Sequence, residues 1–123
     1  MVNRQIMDDR DTSLSVEDFA ALRENLCEQR QFRQEQLQQL SAAAAAADPF
    51  LDGEAASQVE VRVKLAASAR MVLADVEAAL VRMAECRYGS CHLCRGPIAR
   101  ERLRIVPQAR YCSRCQQVRE AGR

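Results

Sequence analysis

A chain of 123 residues has room for one compact domain, or for one elongated element carrying a small module. It has five aromatics and no Trp, and alanine supplies much of its 48% hydrophobic content. That composition argues against a large globular core, while abundant Ala, Glu, Gln, Arg and Leu suit long paired helices. The net charge of +1 hides a gradient: residues 1–86 carry nine basic and fifteen acidic side chains, whereas residues 87–123 carry nine Arg and two Glu.

In chain order, residues 1–14 are polar and aperiodic and are expected to form a flexible N-terminus. Met1 to Arg10 lack the apolar core of a signal peptide, and no stretch approaches about 18 consecutive apolar residues, so a cytoplasmic protein is expected. A helix start follows. Ser15 and Asp18 form an acidic variant of the capping box, and Leu14 and Phe19 occupy the positions of a hydrophobic staple. The stripe Val16, Phe19, Leu22, Leu26, Phe32, Leu37, Leu40 predicts one amphipathic helix running through the six alanines Ala42 to Ala47.

Asp48-Pro49 ends that helix, because proline cannot continue the ladder and pushes its predecessor out of helical geometry. Phe50 to Gly53 read as a turn. Glu54 to Arg87 again lack Gly and Pro and carry Val59, Val63, Ala66, Leu73, Val76, Leu80 and Met83 at helical spacing. Two helices of roughly 32 residues, each about 48 Å long and joined by so short a turn, fold back as an antiparallel hairpin. The expected fold class is therefore mainly α. A long two-helix coiled-coil hairpin spans residues 15–87 with its tip at 48–53, and a small module with a short C-terminal helix fills residues 88–123. Cys27 and Cys86 fall within the helices as small hydrophobes.

The turn itself admits two readings. It is a helix stop followed by an Asp cap, or it is the acidic, partly apolar end of a slender rod shaped to enter a narrow opening.

The last segment holds the strongest chemical signal. Cys91-His92-Leu93-Cys94 is followed, after seventeen residues, by Cys112-Ser113-Arg114-Cys115. Two such turns can aim four thiolates at the corners of a tetrahedron, the closed site preferred by one structural Zn2+. Two local disulfides would need an oxidising compartment, and nothing resembles the cysteine run of an iron cluster. Four thiolates leave no open position for a substrate, and His92, the sole histidine, is expected beside the metal and not on it. No nucleophile, base and orienter set is visible, and a thiol oxidoreductase would need a thioredoxin-like βαβ pattern that is missing, so no enzyme is expected.

In order and spacing, Tyr88-Gly89, Cys91, Cys94, Ile98, Arg102-Leu103, Pro107, Cys112 and Cys115 resemble the zinc-finger signature of the DksA/TraR family of bacterial transcription factors. The resemblance extends through the hairpin to most of residues 15–120. It implies a protein, expected as a monomer, that binds RNA polymerase directly. The hairpin would enter the secondary channel, bring acidic tip residues near the active centre and modulate initiation without reading DNA sequence. The tip residues it assigns are Asp48, Leu51, Asp52 and Gly53. The family tip reads Asp-x-x-Asp-x-Ala, whereas this chain has Leu51 at the second Asp, Gly53 at the Ala, and Asp52 displaced by one. The positions that carry basic residues in members responsive to guanosine tetraphosphate correspond to Ser68, Asp75 and Gln116, which implies weak or absent synergy with that anion. The alternative from composition alone is a zinc finger that binds DNA through its Arg-rich C-terminal module.

Overall fold

The computed structural model describes residues 14–46 and 53–122. Its helices are α1 (Val16–Ala46), α2 (Gly53–Ala84), α3 (Arg100–Ile105) and α4 (Ser113–Ala121). The expected tip residues Asp48, Leu51 and Asp52 lie outside the described residues, and Gly53 opens α2.

The start of α1 follows the capping-box expectation. Ser15 N–H donates to the Asp18 carboxylate (3.2 Å), Asp18 N–H donates to Ser15 Oγ (2.9 Å), and Phe19 N–H closes the first turn on the Ser15 carbonyl (2.9 Å). Leu14 and Phe19, the staple residues, both pack against the core.

α1 and α2 are antiparallel. Leu22 and Leu26, near the start of α1, share a core with Val76, Ala79 and Met83 near the end of α2, whereas Leu37, Leu40 and Ala44 lie across a groove from Val59, Val63 and Ala66. Among the buried and half-buried positions, one series in each helix steps by four and three: Leu22, Leu26, Gln29, Arg33, Gln36, Leu40 in α1, flanked by Cys27 and Leu37, and Arg62, Ala66, Ala69, Leu73, Val76, Leu80, Met83 in α2, flanked by Val72 and Ala79. This is a coiled-coil seam. It also corrects the stripe drawn from apolar residues alone. Phe32 is 59% exposed because the heptad step from Leu26 lands on Arg33, whose guanidinium lies 5.2 Å from the centre of the Phe32 ring. Val16, in the first turn, is 82% exposed, and Val59 and Val63 are also exposed.

Packing is graded along the hairpin. At the finger end the seam is apolar and buried. Midway, α1 contributes Gln29, Arg33 and Gln36, with Arg33 donating to Gln36 Oε1 at 2.9 Å. Toward the distal end the helices leave a groove of about 560 Å³, in which Arg62 buries one guanidinium nitrogen with no hydrogen-bond partner among the described residues.

α2 ends at Ala84, three residues before the expected Arg87. Cys86 N–H donates to the Met83 carbonyl (3.2 Å) and Arg87 N–H to the Arg82 carbonyl (2.8 Å), the paired bonds of a Schellman motif. The residue at its left-handed position is Cys86, with φ of 62°. Cys86 is thus an exposed helix-terminating residue and not a core hydrophobe within the helix. Glycine usually marks such an end, and here the next glycine comes only at 89, so the sequence carried no stop signal.

The core sits where the hairpin meets the module. Leu22, Leu26, Val76, Ala79 and Met83 are continuous with Cys91, Ile98, Leu103 and Ala109. Polar clamps surround this junction. Asp18 accepts from Arg100 (3.2 Å) and pairs with Arg104 (3.8 Å), Arg110 pairs with Asp75 (2.8 Å), and Tyr88 Oη donates to the Pro107 carbonyl (2.7 Å). The ring of Tyr88 meets Phe19 edge-on at 6.2 Å. Burial pushes the Tyr88 phenol up to about 12, against the pull of nearby Arg82.

Candidate metal centre

The first pair of cysteines lies on a small closed loop. Cys91 N–H donates to the Gly96 carbonyl (2.7 Å), Ile98 N–H to the Gly89 carbonyl (2.8 Å), and Ser90 bridges to Pro97. Within it, Arg95 N–H turns back to the Cys91 carbonyl (3.0 Å) with Arg95 at φ of 65°, which swings Gly96 N–H to within 3.4 Å of Cys94 Sγ. The second pair opens α4. Cys112 is its N-cap, and its Sγ accepts from Cys115 N–H at 3.4 Å. His92 N–H donates to the Arg110 carbonyl (2.8 Å) and ties the two knuckles together.

These loops bring Cys91, Cys94, Cys112 and Cys115 to one point, with all four Sγ atoms within 4.8 Å of one another. The Cys94 and Cys112 sulfurs are 3.9 Å apart. A regular tetrahedron with metal–sulfur bonds of about 2.3 Å has sulfur–sulfur edges of about 3.8 Å, so this separation suits a shared ion. It is far too long for a disulfide bond of about 2.0 Å, and all six cysteines are free thiols.

The thiols are prepared unequally for ionisation. Burial opposes charge on Cys91, but N–H groups at Cys94, Cys112 and Leu93 together outweigh it and bring that thiol down to about 6. Cys115 is pushed up to about 12, first by its hydrogen bond with Cys112 and then by burial. Thiols must give up their protons to ligate a metal, so a dication binds such a cluster with release of protons. The donor set fits Zn2+: four soft sulfurs, closed, with N–H groups placed on the sulfurs as outer partners. His92 stands apart from the cluster, exposed, its ring 5.9 Å from that of Tyr111 in an edge-on arrangement.

Sequence reasoning located the four thiols but missed what supports them. Arg82 is buried at 5% exposure and donates to the Ala109 carbonyl only over a long 3.5 Å. Arg102 donates to the Tyr111 carbonyl (2.9 Å), and Arg119 covers the Tyr111 ring at 4.5 Å. Periodicity gave no signal for these, because each pairs with a residue distant in sequence or outside a regular element. No helix among the described residues is long and apolar enough to cross a membrane.

The comparisons agree with this geometry. Residues 87–121 match the family model described as the prokaryotic dksA/traR C4-type zinc finger. The fold is similar to that of transcription factor DksA2 from Pseudomonas aeruginosa, with a TM-score of 0.73 and 23% identity over 87% of this chain and 86% of that one. No curated protein matches the sequence significantly. Residues 87–121 thus match the dksA/traR C4-type zinc finger, and they pack onto a helical hairpin in a fold similar to that of DksA2.

Proposed function

We propose that this protein is a transcription regulator that binds RNA polymerase directly, inserting its hairpin into the secondary channel and modulating initiation. In this reading one Zn2+, held by Cys91, Cys94, Cys112 and Cys115, fixes the module of residues 88–123 and through it the root of the hairpin of residues 15–87. The tip residues Asp48, Leu51, Asp52 and Gly53 act near the active centre. The zinc is structural, and the protein is not an enzyme.

The observation that carries this reading is a finger of dksA/traR type sharing one core with the base of a two-helix hairpin, in the fold of a known transcription factor. A weak response to guanosine tetraphosphate is supported by the surroundings of the three corresponding positions. Ser68 is exposed, Asp75 is engaged by Arg110 at 2.8 Å, and Gln116 donates to Glu120 at 2.7 Å, so none offers a free cation.

The DNA-binding alternative has less electrostatic support than composition alone gives it. Of the arginines that make the C-terminal module basic, Arg100 and Arg104 pair with Asp18, Arg110 with Asp75, Arg87 with Glu85, and Arg102 with a backbone carbonyl. The carboxylates of Asp18 and Asp75 offset two of these charges within the fold.

In vitro transcription from a ribosomal-type promoter with purified polymerase, with and without the alarmone, tests the proposal. The expected result is altered initiation that is lost in the double variant Asp48→Asn, Asp52→Asn and changes little with alarmone. Absence of polymerase binding, or salt-dependent binding to a preferred duplex site, refutes it.

A further inference from the structure

Beside the metal centre, on the side facing the end of α2, lies a second cavity of about 500 Å³. It is lined by Arg82, Cys86, Arg87, Ser90, His92 and Arg95, and the wall next to the thiol cluster is Cys91. The volume falls in the range of small-molecule sites, well above that of a single water. No carboxylate lines it. Among the described residues Arg82 and Arg95 make no ion pair, while Arg87 is held by Glu85.

Arg82 is the informative member. It is a residue at 5% exposure whose guanidinium has one hydrogen bond, a 3.5 Å contact to a carbonyl, and the carboxylate that acts on it, Asp75, is already engaged by Arg110. A zinc tetrathiolate carries about −2 and offsets part of the surrounding charge, but three guanidinium groups exceed it. The backbone gathers them here. The left-handed residues Cys86 and Arg95 are the only described non-glycine residues with positive φ, and both line this cavity. The positions aligned with the family's alarmone site, Ser68, Asp75 and Gln116, do not line it.

We propose that this cavity binds the phosphate or diphosphate end of a small anionic metabolite, with Arg82 and Arg95 as its principal donors, Arg87 as a further cation and the Ser90 hydroxyl as a neutral donor. Guanidinium groups match phosphoryl oxygens in geometry and charge, and convergence of several around a concave site favours an ester of phosphate over a lone carboxylate.

The test uses zinc-loaded full-length protein, 15N-labelled and titrated with inorganic phosphate and with inorganic pyrophosphate at constant ionic strength. Zinc content is measured before and after. The amides of Ser90, His92 and Arg95 are expected to shift saturably, more tightly with pyrophosphate, with zinc retained. Arg95→Asn, which keeps a residue tolerant of positive φ, is expected to weaken binding about tenfold, the loss of one charge-assisted contact. Arg82→Met is expected to weaken it further, and its unchanged zinc content would show the fold intact. Shifts that track loss of zinc, shifts that do not saturate, or affinity in Arg95→Asn unchanged from the parent would overturn the proposal. So would binding of duplex DNA by the same residues without binding of pyrophosphate.

Discussion

Replacing Leu103 by Ala tests whether the finger and the hairpin are one cooperative unit. Leu103 lies on α3, wholly buried, in the cluster that contains Leu22 and Leu26 of α1 and Val76 and Met83 of α2. The change removes three carbons from a site with no access to solvent. At about 0.8 kcal/mol per carbon the transfer term is about 2.4 kcal/mol, and the cavity left behind raises the total to about 3–4 kcal/mol. For a chain of this length that lowers Tm by about 10 °C. The assay is thermal and urea unfolding followed by helical circular dichroism, a signal dominated by α1 and α2, with zinc kept in excess. Leu65→Ala, at an exposed site on α2, is the control and should stay within about 0.5 kcal/mol of the parent. If Leu103→Ala loosens the zinc module while the helical transition stays where it was, the shared core does not couple the two parts, and the reasoning fails.

Metal analysis should find one zinc per chain, and a chelator should lower the helical transition as well as open the finger, because metal binding is part of the folding free energy. Cys94→Ser should lose most of the bound zinc although Cys94 lies at the exposed side of the cluster. Cys86→Gly should stabilise the protein by up to about 1 kcal/mol in urea unfolding, since the left-handed position that closes α2 strains any residue with a Cβ; destabilisation would mean that the thiol makes a contact worth more than the strain. Asp18 is held below its ordinary value of 3.8, chiefly by the Ser15 N–H, with help from the Ser15 hydroxyl and Arg100 against some burial. A carboxylate with a depressed folded value stabilises fully above 3.8 and loses that contribution as pH falls through the folded value. The stability gap between parent and Asp18→Asn should therefore close below pH 3.8, and a gap that persists there would refute the linkage.

What the sequence made legible followed from local chemistry. The capping box at Ser15 and Asp18 and the thiol pairs at 91, 94, 112 and 115 depend on neighbours a few residues away, and each formed as expected. What stayed hidden depended on tertiary partners. The seam runs through Gln29, Arg33 and Gln36, which a search for apolar residues passes over in favour of Phe32. Cys86 ends a helix without the glycine that would announce it. The basic charge of the module looked wholly available for nucleic acid, yet Asp18 and Asp75, far away in sequence, offset two of its charges.

The graded seam makes the hairpin a tapered lever. Its root is welded to the finger by a buried junction around Leu26 and Leu103, whereas farther out the helices are separated by the groove beside Arg62. Helical turns so loosely zipped open at lower free energy than those at the root, so amide exchange should quicken steadily from Val76 toward Val59. Bending forces applied to the far end are then absorbed along the outer turns before they reach the metal, which keeps the anchor rigid while the reach of the lever adapts to its surroundings.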